Sequence, residues 1–195
     1  PVCSSAASDV YKRQLYAMSE IIGIDRFNRA LGKFIDRYRY KHDPYPNIGQ
    51  FIYTLREETP EDLQYLITDT FEKITLYENK VRSAKAIENS DGTYNLHLEV
   101  EAKKVYSDSL GVQTTATLND WLEIGVIAEK IIDGNKLEIP IYVQKVLITD
   151  SLSTFDIKLE EKPFKAGIDP LYKFVDRDSK DNLMRVSFDL SENKI

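Results

Sequence analysis

One cysteine, two histidines, eight glycines and no long apolar run narrow what this 195-residue chain can be. Cys3, having no second cysteine to pair with, forms no internal disulfide, so cysteine usage speaks neither for nor against an oxidising compartment. His42 and His97 come without a His-x-x-x-His pair and without a cysteine pair, which leaves a zinc site short of its three or four ligands. A structural or solvent-facing role is the better reading of each, and His97 falls on the polar side of an alternating stretch between Asn95 and Glu99. The glycines are scattered singly, so no phosphate-cradling loop is present. A Gly-x-Ser-x-Gly elbow and a Cys-His arrangement are missing too, which removes the usual activated nucleophiles. No apolar run reaches the ~20 residues needed to span a bilayer. The chain therefore reads as a soluble segment that does not itself insert into a membrane.

Charge is ample but acidic: 26 Lys and Arg against 32 Asp and Glu give a formal net charge of −6. Phosphate binding needs clustered cations, and the closest approach to a cluster is Arg37, Arg39 and Lys41, which suit a solvated helix end. A nucleic-acid partner is not expected. The paired carboxylates Glu57 and Glu58, Glu61 and Asp62, and Glu160 and Glu161 read as solvated faces rather than acid–base machinery. No catalytic, cofactor-binding or metal-ligating residue is assigned within the chain.

What is present is an ordered change of period. Residues 1–14, PVCSSAASDVYKRQ, lack both the apolar core of an export signal and an amphipathic pattern, and they read as a leader without a helix start. They resemble the translation of sequencing-adapter DNA at the broken end of a metagenomic read, an artefactual or disordered leader. A helical segment is expected over 15–79. Leu15, Met18, Ile21 and Ile22 share one face, Gly23 stops that helix, and Asp25 is placed as the next N-cap. Phe27, Leu31, Phe34, Ile35 and Tyr38 form a second stripe, ended by Asp43-Pro44-Tyr45-Pro46. A third helix is expected near Ile48 to Glu57, and a fourth from an N-cap at Thr59 with the stripe Leu63, Leu66, Ile67, Phe71 and Ile74.

From residue 80 the period becomes two. Lys80 to Ile87 predicts a strand, Asn89-Ser90-Asp91-Gly92 a hairpin turn, and Tyr94, Leu96, Leu98, Val100 and Ala102 the dry face of the returning strand. Trp121 to Ala128 is apolar on both faces at its far end, as a central strand would be. Asp133-Gly134-Asn135 marks a second hairpin tip, followed by the alternation of Leu137, Ile139, Ile141 and Val143, and then by Phe155, Ile157 and Leu159. Residues after Pro163, rich in Asp and Pro, predict an ordered coil rather than another long strand, and Met184, Val186 and Phe188 one short alternation. The whole is an α+β chain, with about four N-terminal helices followed by an antiparallel β-sandwich over 80–188 and a frayed tail, 189–195.

Three stretches in order, LYAMSEIIGIDRFNRALGKFIDRYRY with DPYP, TPEDLQYLITDTFEKITLYENKV, and KAGIDPLYKFVDRDSKDN, resemble the C-terminal part of zinc aminopeptidases of the membrane-alanyl-aminopeptidase family. The likeness is to the bacterial kind fused to an ABC-transporter-type permease region, and it covers Leu15 to about Val186. It implies that the helices are the tail of a thermolysin-like catalytic domain and that the sandwich packs beside that domain. The family's zinc ligands, His-Glu-x-x-His and a farther Glu, have no counterpart here, nor has the Gly-x-Met-Glu-Asn-type motif that holds the substrate's amino terminus. Tyr11-Lys12 superficially mimics the family's transition-state Tyr and its following Lys-Gly, but the Gly is missing and the spacing to Tyr16 is too short. Zinc thus belongs to the parent family and not to this chain, and without a metal to activate water the chain alone is expected to be inactive.

Two readings follow. In the first, the chain is a non-catalytic C-terminal fragment of such a protein, a scaffold partnered by the rest of the parent polypeptide, which would be membrane-associated. That reading requires an exposed apolar face on the first two helices. In the second, it is a complete module, a helical bundle with an immunoglobulin-like sandwich, binding another protein through loops rich in tyrosine (Tyr38, Tyr40, Tyr45).

Overall fold

The computed structural model describes residues 3–42 and 45–188, with side chains from residue 12 onward. Asp43 and Pro44 of the expected connector, and the expected frayed tail, lie outside the described residues. Helices come first and sheets after, an α+β architecture. The chain divides into two compact units, one holding the chain up to Thr75 together with Tyr106–Gln113, the other Leu76–Val105 and the chain from Thr114 onward. The division expected at residue 80 lies a few residues beyond the point where the chain enters the second unit.

In the first unit, α1 (Cys3–Ile22) begins inside the segment read as a leader. No Gly or Pro interrupts residues 2–22, and Ala, Lys, Arg and Gln are good helix formers, so propensity carries the helix where no amphipathic pattern announced it. Gly23, at φ +100, ends α1 in a conformation that side chains rarely adopt, and α2 (Ile24–Tyr38) starts at once. Asp25 therefore lies in the first turn of α2 and is not its cap. The cap that does form is on α3 (Ile48–Glu58), where the Asn47 side chain accepts from Gln50 N and the Gln50 side chain accepts from Asn47 N.

Thr59 ends α3 instead of starting a helix: its hydroxyl donates to Leu55 O at 2.7 Å. The expected fourth helix is broken into a 3₁₀ turn (Glu61–Leu63), α4 (Gln64–Ile67) and a π turn (Thr68–Glu72). Arg56 holds these pieces to α3 by donating to Gln64 Oε1, Thr68 Oγ1 and Glu72 Oε1 at 2.7–3.0 Å. An aromatic row, Tyr38, Phe34, Phe51 and Phe71, joins α2, α3 and the π turn with ring centroids 5.1–6.2 Å apart. Ile35, assigned to the buried stripe of α2, is exposed; the buried residues of that helix are Phe27 and Ala30. Ile74, assigned to the last helix, begins β1 and is exposed.

Strands β1 (Ile74–Tyr77), β4 (Lys104–Ser107) and β5 (Gln113–Thr115) form a small sheet in the order β1-β4-β5. The second unit is otherwise two four-stranded sheets. One orders β11 (Ser187–Phe188), β2 (Lys80–Glu88), β3 (Tyr94–Glu101) and β8 (Leu152–Leu159); the other orders β10 (Leu183–Arg185), β9 (Lys165–Ile168), β6 (Asp120–Ile132) and β7 (Asn135–Ile148). Both hairpin tips form where the Asp-Gly pairs stand. Gly92 has φ +81, and Asp133 and Gly134 both have positive φ, the backbone a two-residue turn needs to match the twist of its strands.

One core spans both sheets, with Leu96, Leu98, Val100 and Ile157 on one side and Leu122, Ile124, Val126 and Ile168 on the other. Face-to-face burial of two sheets around one core is a β-sandwich. Strand β6, paired with β7 and β9, is the central strand that its two-sided apolarity predicted. The alternation read through Leu137, Ile139, Ile141 and Val143 does not hold. A bulge opposite Val126 and Ile127 puts one extra residue into β7, and beyond it Tyr142, Val146 and Ile148 turn inward while Val143 stays 42% exposed.

The segment after Pro163 contributes the four-residue strand β9 and then a coil that is hydrogen-bonded along the sandwich. Tyr77 N donates to Val175 O, Val81 N to Asp181 O and Ile168 N to Asn182 O, at 2.9–3.0 Å. A methyl group on Gly167 would overlap the Asn182 carbonyl and come within 2.8 Å of Val81 Cγ2, and one on Gly125 would overlap Pro170. Glycine is thus required at 167 by close approach. Gly167→Ala is expected to lower stability by at least ~2 kcal/mol, read as a fall in the urea midpoint; an unchanged midpoint would mean that this coil, the strap over residues 169–182, is not packed against β9 as described.

Candidate functional site

The residues singled out in the sequence do not converge. His42 is exposed in the connector after α2, in the first unit. His97 faces solvent from β3 in the second unit, its Nδ1 2.7 Å from Asp156 Oδ1, with both side chains more than half exposed. Glu57 pairs with Arg37 at 2.8 Å, and Glu58 with Arg29 at 3.0 Å and with Lys33. Lys33 and then Arg29 hold the Glu58 carboxyl below its ordinary value. Glu61 and Asp62 are exposed in the 3₁₀ turn, and Glu161 pairs with Lys130 at 2.7 Å. These carboxylates are surface ion pairs or solvated groups. Cys3 and Tyr11 lie on α1, where their side chains are outside the description.

Sequence reasoning missed three polar clusters of the sandwich unit. In the first, the Asp120 carboxylate accepts from Lys104 Nζ at 2.9 Å, from the Tyr77 hydroxyl at 3.0 Å and from Asn119 N at 3.1 Å, all three side chains being buried. A fully buried charge pair survives only when its hydrogen bonds are complete, and this one is well supplied. Lys103-Lys104 gave no hint of it, because a lysine at a strand start normally points to water. With no access for a substrate, the cluster fixes β4 to β6. Replacing one partner alone, Lys104→Met, is expected to cost about 3–5 kcal/mol through the stranded Asp120 charge, whereas Lys104→Met combined with Asp120→Leu recovers much of it; equal losses in the single and double variants would rule this account out.

The second cluster is Asp169, Glu123 and Lys173. Asp169 sits at φ +47, and its carboxylate accepts from Lys173 N at 2.9 Å and Phe174 N at 3.1 Å, closing the turn that follows Gly167. Lys173 Nζ meets Glu123 Oε1 at 2.6 Å, and Glu123 Oε2 is buried without a hydrogen-bond partner. Burial pushes the Asp169 carboxyl up to about 7, against the two backbone donors that favour its charged form. A raised folded-state value means that the folded chain holds the proton more tightly than the unfolded one. The stabilisation is complete below about 3.8 and lost as pH rises to about 7. Between those limits the urea midpoint is expected to fall with rising pH, and Asp169→Asn to flatten that slope; a slope unchanged in the variant contradicts the assignment.

The third is a cavity of about 170 Å³ lined by Glu78, Asn79, Lys80, Glu101, Lys103 and residues 176–178 and 181. The Asp176 carboxylate organises its floor, accepting from Asn79 N and Asp178 N at 2.9 Å each. Asn182, with its amide oriented to suit its neighbours, donates to Asp176 Oδ2 at 3.3 Å and to Asn79 O at 3.0 Å. Among the described residues no group of three or more His, Cys, Asp or Glu side chains is placed to hold a metal ion. No helix among them is long and apolar enough to cross a membrane. No nucleophile stands beside a base in any of the three clusters. No family model matches the chain, and no curated protein does.

Proposed function

We propose that this chain is the non-catalytic C-terminal part of a zinc-dependent aminopeptidase-like protein, serving as a scaffold for a catalytic domain carried elsewhere in the parent polypeptide. The ordered resemblance of its three stretches to the membrane-alanyl-aminopeptidase family supports the reading. The observation that carries it is the apolar surface left open on the helical unit: Tyr16 on α1, Ile24 and Ile35 on α2, and Ile48 and Tyr53 on α3 are each 55–62% exposed. Large apolar side chains repeated along successive helices suit an interface better than a water-facing surface. Peptide hydrolysis in the parent would rest on zinc bound outside this chain. In the sandwich unit the buried pairs Lys104–Asp120 and Lys173–Glu123 tie strands and the coil after β9 together, which suits a scaffold role.

A second reading keeps one observation of its own. Tyr40 is 88% and Tyr45 74% exposed in the connector between α2 and α3, and tyrosines so placed suit capture of another protein. Producing the chain alone and joined to the polypeptide encoded upstream separates the two. The scaffold reading expects aminoacyl-anilide hydrolysis only in the joined protein, and expects Ile24→Asp with Ile35→Asp to lower the joined protein's thermal midpoint by several degrees while leaving the isolated chain's unchanged. Hydrolysis by the isolated chain, or equal effects of the substitutions in both forms, would overturn it.

A further inference from the structure

Two connections between the sheets of the sandwich unit run side by side, residues 160–164 from β8 to β9 and Val186 from β10 to β11. Main-chain bonds hold them in place: Phe164 N donates to Ile127 O at 2.8 Å, and Val186 N to Phe164 O at 3.0 Å. A cleft of about 330 Å³ opens there, lined by Glu129, Lys162, Phe164, Arg185, Val186 and Phe188. Its carboxylate is already engaged, Glu129 with Lys136 at 3.0 Å. Its cations are not: among the described residues neither Lys162 nor Arg185 has a carboxylate at ion-pair distance. Both rest instead over aromatic rings, Lys162 Nζ 4.9 Å from the Phe188 centroid and Arg185 Cζ 4.7 Å from that of Phe164. Arg185 also stands directly opposite Lys165 on β9, a like-charge pair that costs stability, and Glu138 offsets only the Lys165 charge.

We infer that this cleft binds a small organic carboxylate with an apolar body, an acid of the arylacetate type. A guanidinium resting over a ring spends none of its N–H donors there, and its planar fork matches the two oxygens of a carboxylate. Arg185 takes the carboxylate, and Lys162 adds the second positive charge. Phe188 and Val186 supply the apolar wall, with Phe188 set against the Tyr94 ring at 6.1 Å between centroids. A bare inorganic anion would use the charges and leave that wall uncovered. The volume lies at the lower end of the range for small-molecule sites and takes one ring with its acid group. The site is independent of the scaffold role, because all of its residues belong to the sandwich unit.

The probes are phenylacetate, its neutral counterpart phenylacetamide, acetate and inorganic phosphate, each titrated at constant pH and ionic strength while the Arg185 Nε–H and Val186 methyl signals are followed by NMR. Phenylacetate is expected to give a saturable shift of both, half-complete at or below about 10 mM. Acetate, which lacks the ring, is expected to bind at least about fivefold more weakly, and phenylacetamide to show no saturation. Arg185→Gln and Lys162→Gln, each checked for its fold by the thermal midpoint, are expected to weaken phenylacetate binding at least about fivefold. No saturable shift with phenylacetate, an equal response to phenylacetamide or to acetate, undiminished binding in the folded Arg185→Gln variant, or saturation by phosphate at lower concentration than by phenylacetate would each overturn the proposal.

Discussion

The sandwich depends on a backbone-to-backbone approach that only glycine permits. Gly167 stands on β9 with the Asn182 carbonyl and Val81 Cγ2 in the space a Cβ would need, and the coil after β9 returns within hydrogen-bonding reach of residues 77–81. The rest of the strap follows from that contact. Asp169 closes the turn, Pro170 fills the space that Gly125 leaves empty on β6, and Asp176 gathers Asn79 N and Asp178 N. Two sheets that share a core through side chains are thereby also joined through main-chain bonds, which do not loosen when a single side chain repacks.

Much of this was legible in the sequence, and the failures have physical causes. Strand period, the Asp-Gly tips and the two-sided apolarity of β6 are local signals, and each produced its element where expected. The bulge in β7 was invisible, because an extra residue in one strand shows only against its partner, and it reverses the facing of Val143 and Tyr142. β1, β4 and β5 are three or four residues long, too short for periodicity to show. Thr59 and Asp25 have the right chemistry for caps but sit one and two positions away from the residues that cap, Pro60 and Gly23. The buried clusters were illegible for a related reason: nothing local distinguishes Lys104, Asp120 or Glu123 from surface charges, since their partners lie 16 to 50 residues away.

Buried charge in this chain serves architecture. Lys104 with Asp120, and Lys173 with Glu123, pin strands or the strap, and none of them opens to a ligand. Asn79 is a different case, a buried amide whose two polar atoms have no hydrogen-bond partner. In the helical unit the imbalance is of the other kind, apolar surface without cover on α1, α2 and α3. A scaffold lying beside a catalytic domain accounts for such surface without asking chemistry of residues that do not converge.

The most direct test of that account is to read the DNA contiguous with the Leu15 codon in its source and translate it upstream. The account predicts a reading frame carrying His-Glu-x-x-His and a farther Glu, followed by helices that run into α1. A start codon immediately before Leu15, with no such motif in frame, would contradict it and leave the tyrosine-bearing connector as the surface to pursue.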